Sequence, residues 1–509
     1  MAAADRQVLM RGVGLAFLGR LGAVVEAASF PLFFALYGPV LFGIYATAWA
    51  AARLAAGFTQ LGMVLMLQQF VPAREHDADR LAAVLRFALV RALGASLVVV
   101  AAVAALSPWL ARLVDRSGAL GADGPWLMAL FAWIVPAWTA LEVLTGAIRA
   151  LRRFGPEIRV RIFYEQVLRL ALGTGLALAG VMKAGLFLAH LGSAVIAAGL
   201  ALALVAKHYD LARLPRAALG REERRRLWAY ALPLMPSELI QRGFSELPVV
   251  ILNGLLPGAA GAISAGYYAV ARKIASVMQL VFNAFDYVMA PLAAHHLAQA
   301  GRGRIADLHA YATRLMLASG TLLAAGLVAA SDLLAAALGS DADAIAPTLG
   351  ILVAGRLASF FFGQAQAVLR AMVSSRLVLA NGVAGVAVML LLVALLAPAH
   401  GAPGAAVGAA TGLVVTHGLA ALELRLATGI CAWNRQMLRP LAVCLPLAAA
   451  LLALDALLEG RVPEIAHFAV LVAALLLAFG LLVRYGLDAE DARAFGRLAL
   501  WLRRGKEEP

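Results

Sequence analysis

The sequence predicts an all-α integral membrane protein with about 14 transmembrane helices. Three observations predict this fold class: the chain is 63% hydrophobic and only 14% charged, its apolar residues form long stretches separated by short loops, and the loops alternate in basic charge. Because about 20 apolar residues cross the hydrocarbon core of a bilayer, each stretch is near or above the length of one crossing. A soluble domain with a mean hydropathy of +0.86 would have too little polar surface.

The spans follow directly from the apolar stretches between polar segments. Residues 1–12 are short, polar and basic and run straight into the first span, so we expect no cleavable signal peptide. The predicted spans are 13–36, 41–63, 83–111, 125–148, 160–181, 185–206, 228–256, 263–291, 310–338, 344–370, 377–397, 404–424, 437–457 and 464–486.

The distribution of lysine and arginine predicts the orientation. Of the 43 basic residues, 31 fall in loops or termini on one side, four fall on the other side, and eight lie inside spans. Basic loops stay in the cytoplasm, so both termini are expected there. The net charge of +14 is explained by this asymmetry and by anionic lipids of the inner leaflet as partners, and it does not indicate a nucleic-acid partner.

The chain repeats itself with a period near 220 residues. The segment Gly43-Ile44-Tyr45-Ala46 returns as Gly266-Tyr267-Tyr268-Ala269, and 147–150 returns as 368–371. Parallel repeats of this kind are related by an axis along the membrane normal and enclose a site near the midplane. The predicted domains are an N-terminal lobe with its basic linker at 1–226, a C-terminal lobe at 227–430, two appended spans at 431–486 and a basic tail at 487–509.

Charged residues inside spans mark the candidate site. Each such charge costs about 2.5–3.5 kcal/mol on insertion scales and therefore needs a reason. Mutual pairing of the acids with the bases leaves about two cations over, which favours an anionic ligand. The basic residues are Arg20, Arg53, Arg242, Arg272, Lys273 and Arg356, and the acidic ones are Glu26, Glu238, Glu246 and Asp286.

The spacing of these residues predicts polar faces on four helices. Span 8 carries the longest one, Arg272, Ser276, Gln279, Asn283 and Asp286, at steps of four and three. Such a face cannot point into lipid, so we expect it to line a hydrated cavity. Shorter faces combine Tyr45, Trp49, Arg53 and Gln60 on span 2, Glu238, Arg242 and Glu246 on span 7, and Arg356, Phe360 and Gln364 on span 10.

Two interpretations of the charged ladder on span 7 remain open. Its members either form buried salt bridges that pin helices together or contribute to the cavity.

On span 5, Arg161, Glu165 and Arg169 are predicted to be an ion ladder that snorkels to the cytoplasmic face. An excess of arginine in a cavity suits phosphate, because the planar guanidinium binds it through a fork of donors.

Three segments resemble a known family. Residues 36–45, 149–154 and 161–170 are similar to polysaccharide transporters, the O-antigen-type flippases of the multidrug/oligosaccharidyl-lipid/polysaccharide (MOP) superfamily. The resemblance implies a V-shaped bundle of two pseudo-symmetric six-helix lobes plus two C-terminal helices, in the bacterial inner membrane. It also implies a polyprenyl-diphosphate-linked glycan as substrate, alternating access and the glycan polymerase machinery as a partner.

The family's cavity-lining basic residues match this chain by span and depth at Arg20, Arg53, Arg242 and Arg272. The resemblance implies no cofactor and no enzymatic activity. Glu26 and Asp286 are candidates for H⁺ or Na⁺ coupling.

Other functions compete with this interpretation. A cation-coupled multidrug exporter of the same superfamily would need an acidic cavity, and a peptidoglycan-precursor flippase would share the fold. A membrane glycosyltransferase or polymerase would use an acidic pair such as Asp341 and Asp343, but the predicted outer loops are short. The pair His295-His296 has no third ligand at metal spacing, so no metal site is expected.

Overall fold

The chain is helical throughout the part that the structure describes. The structure is a computed structural model that describes residues 22–74, 77–151, 159–298, 302–338 and 344–487, and no strand occurs in them. The helices up to residue 255 are α1 (Gly22–Tyr37), α2 (Pro39–Thr59), α3 (Met63–Phe70), α4 (Ala78–Val114), α5 (Gly124–Phe131), α6 (Ile134–Ala150), α7 (Glu165–Leu178), α8 (Met182–Ala206), α9 (Arg221–Ala231) and α10 (Met235–Leu255).

The helices of the remaining chain complete the bundle. They are α11 (Gly258–Ala298), α12 (Arg302–Ala329), α13 (Ser331–Leu338), α14 (Ile345–Phe360), α15 (Ala365–Met372), α16 (Ser375–Thr428), α17 (Leu438–Leu458) and α18 (Glu464–Leu481). Every predicted span overlaps at least one helix. Among the described residues, eight helical stretches are long and apolar enough to cross a membrane, or nine if α14 and α15 form one span. The all-helical membrane fold is therefore confirmed, and the count of fourteen spans stays a prediction.

Local signals explain where several helices begin and break. The side chain of Asp77 caps α4 by accepting a hydrogen bond from the Arg80 amide at 3.0 Å. Pro39 begins α2, where its fixed φ suits the first helical turn. Gly401, with φ of 57° and ψ of −132°, breaks α16 between predicted spans 11 and 12, a conformation that a residue without Cβ adopts at no steric cost.

Predicted span 10, at 344–370, is not a single straight helix in the structure. The structure shows α14 and α15 bent by 41° at a break of four residues. Gly363, with φ of 60°, lies in the break and packs so closely on α12 that a Cβ there would overlap the Thr313 hydroxyl. The sequence contains no proline at this point, so the apolar pattern alone did not reveal the bend.

The helices form two compact units. Among the described residues, one unit comprises those up to Val270 and the other comprises those from Ala271 onward, so the division falls inside α11. In the first unit α4 packs on α5 and α6, α8 packs on α6 and α7, and α10 packs along α2. The lobe boundaries predicted from the repeat stay a prediction.

In the second unit the two appended spans pack on α12. Their apolar core contains Leu322 from α12, Cys444 and Leu451 from α17, and Ala478 from α18. Gly326 lies against Leu475, which brings α12 and α18 close together. Spans 13 and 14 therefore have a packing role within this unit.

The two copies of the repeated motif pack against each other inside the first unit. Gly43 in α2 lies so close to α11 that a Cβ would overlap the Ala262 carbonyl group. A Cβ on Gly266 would come within 3.4 Å of the Gly43 Cα. Each glycine therefore allows the backbone of its own repeat to approach the backbone of the other repeat closely.

Candidate substrate-binding site

An ion pair joins spans 2 and 7 in the first unit. Nη1 of Arg53 on α2 lies 2.9 Å from Oε1 of Glu246 on α10. The Glu246 side chain is fully buried, whereas the Arg53 side chain is 25% exposed. The Arg53 guanidinium also lies 5.7 Å from the ring centroid of Trp49, one helical turn earlier. The Arg53 side chain is therefore partly accessible, and it is paired with a buried carboxylate.

A second arginine of span 7 contacts the same helix. Nη2 of Arg242 donates to Oε1 of Gln60 at 3.2 Å. The stem of Arg242 lies over Gly57, where a Cβ would come within 2.5 Å of the arginine Cδ. Glu238 is half-buried one turn before Arg242, and the two opposite charges attract each other. The ladder on span 7 therefore faces α2, and Glu246 is paired with Arg53 across that contact.

The first unit also contains a buried charged cluster, formed by Glu26, Tyr45, Glu165, Arg169 and His190. Arg169 lies 3.2 Å from Glu26 and 3.9 Å from Glu165, and its Nη1 lies 3.1 Å from Nε2 of His190. The other ring nitrogen of His190 lies 2.8 Å from the Tyr45 hydroxyl. The side chains of Glu165 and His190 are fully buried, and that of Arg169 is 1% exposed.

This cluster overturns one sequence prediction. Glu165 and Arg169 were expected to snorkel toward the cytoplasm, but they lie in the core of the first unit, while the Arg161 side chain is outside the described residues. The reason is that their partners come from spans 1 and 6, which no spacing within span 5 reveals. An i, i+4 ladder has the same pattern on a solvated face and in a buried network.

Trp49 connects the buried charged cluster to the Arg53 ion pair. Its ring centroid lies 3.9 Å from that of His190 and 5.0 Å from that of Trp138. Tyr45, Trp49 and Arg53 follow one another at steps of four along one face of α2. One side of α2 thus reaches both the buried charged cluster and the α10 contact.

In the second unit the predicted polar face of span 8 is present as a half-buried stripe. Arg272, Ser276, Gln279, Asn283 and Asp286 are all partly exposed along α11. Buried apolar residues such as Ile274 and Met278 occupy the neighbouring faces. We name these five polar residues the α11 stripe. The alternation of burial shows that they share one face, as their spacing predicts.

A chain of amides connects the α11 stripe to span 10. Arg356 on α14 donates through Nη1 to Oε1 of Gln279, and Nε2 of Gln279 donates to Oδ1 of Asn283 at 2.8 Å. Arg356 thus contacts a neutral amide, whereas Arg53 contacts a carboxylate. This arrangement places one guanidinium and two amides together, groups that bind phosphate oxygens and sugar hydroxyls.

Two predicted cavity residues of the second unit, Gln364 and Lys273, are buried. Gln364 is fully buried at the break between α14 and α15, where its Nε2 donates to the Phe282 carbonyl oxygen at 3.1 Å. Lys273 is 6% exposed and directly follows Arg272, so it lies about 100° around α11 from the stripe. Gln364 therefore has a bracing position in this structure. Arg20 lies outside the described residues.

The sequence analysis did not single out two histidines in spans 6 and 12. His190 belongs to the buried charged cluster, and Nδ1 of His417 lies 2.9 Å from the Leu413 carbonyl oxygen, with its ring against Phe282 at 5.2 Å. Their separation of 227 residues is close to the repeat period, and that was the available signal. Within the described ranges no group of three metal-ligating side chains occurs.

The basic linker forms a polar groove against the start of α4. A cavity of about 580 Å³ is lined by residues including Asp79, Arg80, Arg213 and Arg216. Arg213 lies 2.9 Å from Asp79 and 2.7 Å from Asp210. Its hydrogen bond lowers the pKa of the Asp210 carboxyl below the usual range. This groove carries both acidic and basic side chains, and in this respect it differs from the arginine-rich spans.

The comparisons with known proteins agree with this architecture. Residues 9–295, more than half of the chain, match the sequence family described as polysaccharide biosynthesis protein. The chain belongs to this family. No curated protein matches it by sequence.

Solved structures support the fold of this polysaccharide biosynthesis protein. It is similar to the lipid II flippase MurJ in an inward closed conformation, with a TM-score of 0.67, 12% identity and coverage of 92% of this chain and 97% of that chain. An inward-facing multidrug resistance MATE transporter of the MOP superfamily gives a TM-score of 0.58 at 17% identity, covering 84% of this chain and 98% of the other.

The chain is also similar to a MATE transporter of Vibrio cholerae, with a TM-score of 0.60 and 14% identity, and the match covers 84% of this chain and 99% of that chain. At these identities the likeness shows the fold alone. Family and fold together make this chain a multi-pass membrane protein of the polysaccharide biosynthesis family, with a fold similar to that of these solved transporters.

Proposed function

We propose that this protein flips a polyprenyl-diphosphate-linked oligosaccharide from the cytoplasmic to the outer leaflet by alternating access. The product would serve the synthesis of O-antigen or another envelope or exported polysaccharide. The observation that carries the proposal is the presence of partly exposed arginines inside predicted spans of both units, Arg53 in one and Arg272 and Arg356 in the other. Membership of the polysaccharide biosynthesis family supports the glycan.

The chemistry of these groups suits the proposed substrate. A diphosphate presents several anionic oxygens, and guanidinium groups bind such oxygens through paired donors. The amides of Gln279 and Asn283 next to Arg356 suit the hydroxyls of a sugar. A negative cell interior also favours outward movement of an anion, by about 2.3 kcal/mol per charge per 100 mV.

The location and partners follow from the same proposal. We place the protein in the bacterial inner membrane with both termini in the cytoplasm, because most of its basic residues lie on one side. Anionic inner-leaflet lipids surround those residues, and the glycan polymerase machinery receives the product. The protein has no enzymatic step of its own in this proposal.

Coupling to H⁺ or Na⁺ would use carboxylates that arginine contacts in this structure. Glu26 lies beside Arg169 and Glu246 beside Arg53. A cation that binds either carboxylate therefore competes with an arginine, and Glu238 and Asp286 are further candidates. This competition is a route by which ion binding can alter the arginine positions.

A second candidate is a peptidoglycan-precursor flippase, and the similarity to the lipid II flippase MurJ favours it. A peptidoglycan precursor is also a glycan on a polyprenyl diphosphate, so the same arginines would serve. The match to a polysaccharide biosynthesis family favours the oligosaccharide. A multidrug exporter would require a site dominated by acids, whereas the α11 stripe and its neighbours carry Arg272, Lys273 and Arg356 against Asp286.

Single substitutions test the site. We expect Arg242→Ala, Arg272→Ala and Arg356→Ala each to lower surface glycan at least about tenfold at equal protein level, because each removes charge-assisted hydrogen bonds to phosphate. Arg53→Ala is combined with Glu246→Ala so that no buried carboxylate loses its partner. Surface glycan is measured by immunoblot or lectin binding, and protein level by quantitative blotting.

The matched control is Arg370→Ala, which removes an exposed arginine at the end of α15. It should leave export unchanged. Normal export in all four site variants would remove these residues from the proposed site.

A further inference from the structure

Span 7 is held on the first repeat by polar contacts. By sequence α10 opens the second repeat, yet it packs along α2 in the first unit. The contacts at the middle of α10 include the Arg53–Glu246 ion pair at 2.9 Å and the Arg242–Gln60 hydrogen bond at 3.2 Å. Arg53 and Arg242, two of the candidate substrate-binding arginines, therefore also contribute to holding α10 on α2.

The far end of α10 is held in the same way. Nδ2 of Asn253 donates to the Val114 carbonyl oxygen at 3.0 Å, and Nη1 of Arg116 donates to the Gly254 carbonyl oxygen at 2.5 Å. These bonds join the C-terminal ends of α4 and α10. Directional polar contacts such as these can be exchanged for bonds to water or ligand, so the contact can separate.

The helix itself is suited to movement as a segment. A short 3₁₀ turn at Leu232–Leu234 precedes α10, and Pro233 lies in it. Pro236 stands in the first turn of α10 and Pro248 lies inside it. Pro248 removes one helical hydrogen bond inside α10 and permits a bend there, whereas Pro233 and Pro236 stand in first turns, where the amide has no helical partner.

We propose that α10 is a gate helix, docked on α2 in this state and released when phosphate takes Arg53 from Glu246 and Arg242 from Gln60. The proposal rests on the function proposed above and identifies how substrate regulates the site. A phosphate oxygen reaches the exposed edge of Arg53 and competes for the donors that Glu246 uses. As α10 leaves α2, the released Glu246 carboxylate becomes hydrated.

The physical reason for coupling is a difference in affinity between the two states. In the docked state the arginine donors are divided between the protein and the ligand. In the undocked state all of them are available to the diphosphate. A ligand that binds the undocked state more tightly shifts the population toward it.

The gate is tested with a distance measurement between spin labels. Ala51→Cys on α2 and Leu255→Cys on α10 are both exposed positions and are labelled in a Cys431→Ser background. Ala51→Cys with Leu178→Cys on α7 is the matched pair without α10. Pulsed electron–electron double resonance then measures the distribution of distances between the two spin labels in the full-length protein. The measurement is made with undecaprenyl diphosphate or with undecaprenol, which lacks phosphate.

We expect undecaprenyl diphosphate to add a longer distance for the α10 pair, undecaprenol to add none, and the control pair to stay unchanged. Glu246→Gln should raise the longer population about tenfold without any ligand, since it weakens a charge-assisted bond. An unchanged α10 distance in Glu246→Gln, or with the diphosphate bound, would overturn the gate.

Binding measured on the same samples separates the two proposals. Retention of undecaprenyl diphosphate without movement of α10 contradicts the gate and leaves the proposed function standing. No retention contradicts the proposed function, and the Glu246→Gln distances still decide whether the ion pair holds α10.

Discussion

Replacing Arg169 by methionine should lower the free energy of unfolding by about 3–5 kcal/mol, the usual cost of breaking a buried ion pair from one side. The Arg169 side chain is 1% exposed and contacts Glu26, Glu165 and His190. Methionine fills similar space but leaves the carboxylates without this guanidinium. The change is measured by thermal or detergent-induced unfolding of the purified protein.

The matched control for Arg169 is Arg213→Met. Arg213 also touches two carboxylates, Asp79 and Asp210, but its side chain is 47% exposed. Exposed pairs contribute about 0–1 kcal/mol, so this variant should unfold almost like the parent protein. Combining Arg169→Met with Glu165→Gln should recover part of the lost stability. Equal losses for Arg169→Met and Arg213→Met would show that the buried charged cluster does not stabilise the fold.

The second large effect is expected at Gly43. Gly43→Leu should cost about 3 kcal/mol or more, the upper end of the range for overpacking, because even a Cβ there overlaps the Ala262 backbone. Since the obstacle is a carbonyl group of α11, a side-chain rotation cannot relieve it. Separation of α2 from α11 is the only relief, and it also breaks the packing of the two repeated motifs.

Gly94→Leu is the control for Gly43→Leu. Gly94 also lies inside a predicted span, on α4, and a Cβ there meets nothing within 4 Å. Removal of a mid-helix glycine should leave stability unchanged or raise it by up to about 1 kcal/mol. The two variants are compared by unfolding midpoint and by folded yield. Equal stability of both would contradict the close approach of α2 and α11.

Much of the fold could be predicted because the bilayer restricts it. Apolar length located the helices, and the spacing of Arg272, Gln279 and Asn283 placed them on one face of α11. The break at Gly401 also falls between two predicted spans. These features depend on local sequence and a fixed period, which one chain is sufficient to show.

The partners of the charges could not be predicted, because they depend on which helices are neighbours. Spacing placed Glu246 on one ladder with Glu238 and Arg242 but named no partner on another helix, and the structure pairs Glu246 with Arg53 on α2. Arg169 was misplaced for the same reason. Asp341, Asp343 and the basic tail at 488–509 lie outside the described residues, as do the His295 and His296 side chains.

The most direct measurement of the central claim is transbilayer movement in proteoliposomes. Purified protein is reconstituted with an undecaprenyl-diphosphate oligosaccharide, and the glycan that reaches the far leaflet is measured by its protection from an added glycosidase. We expect movement well above that in protein-free liposomes, and we expect it to be lost in an Arg272→Gln/Arg356→Gln variant that remains folded. No acceleration by the parent protein, or equal movement of a neutral polyprenyl glycoside, would contradict it.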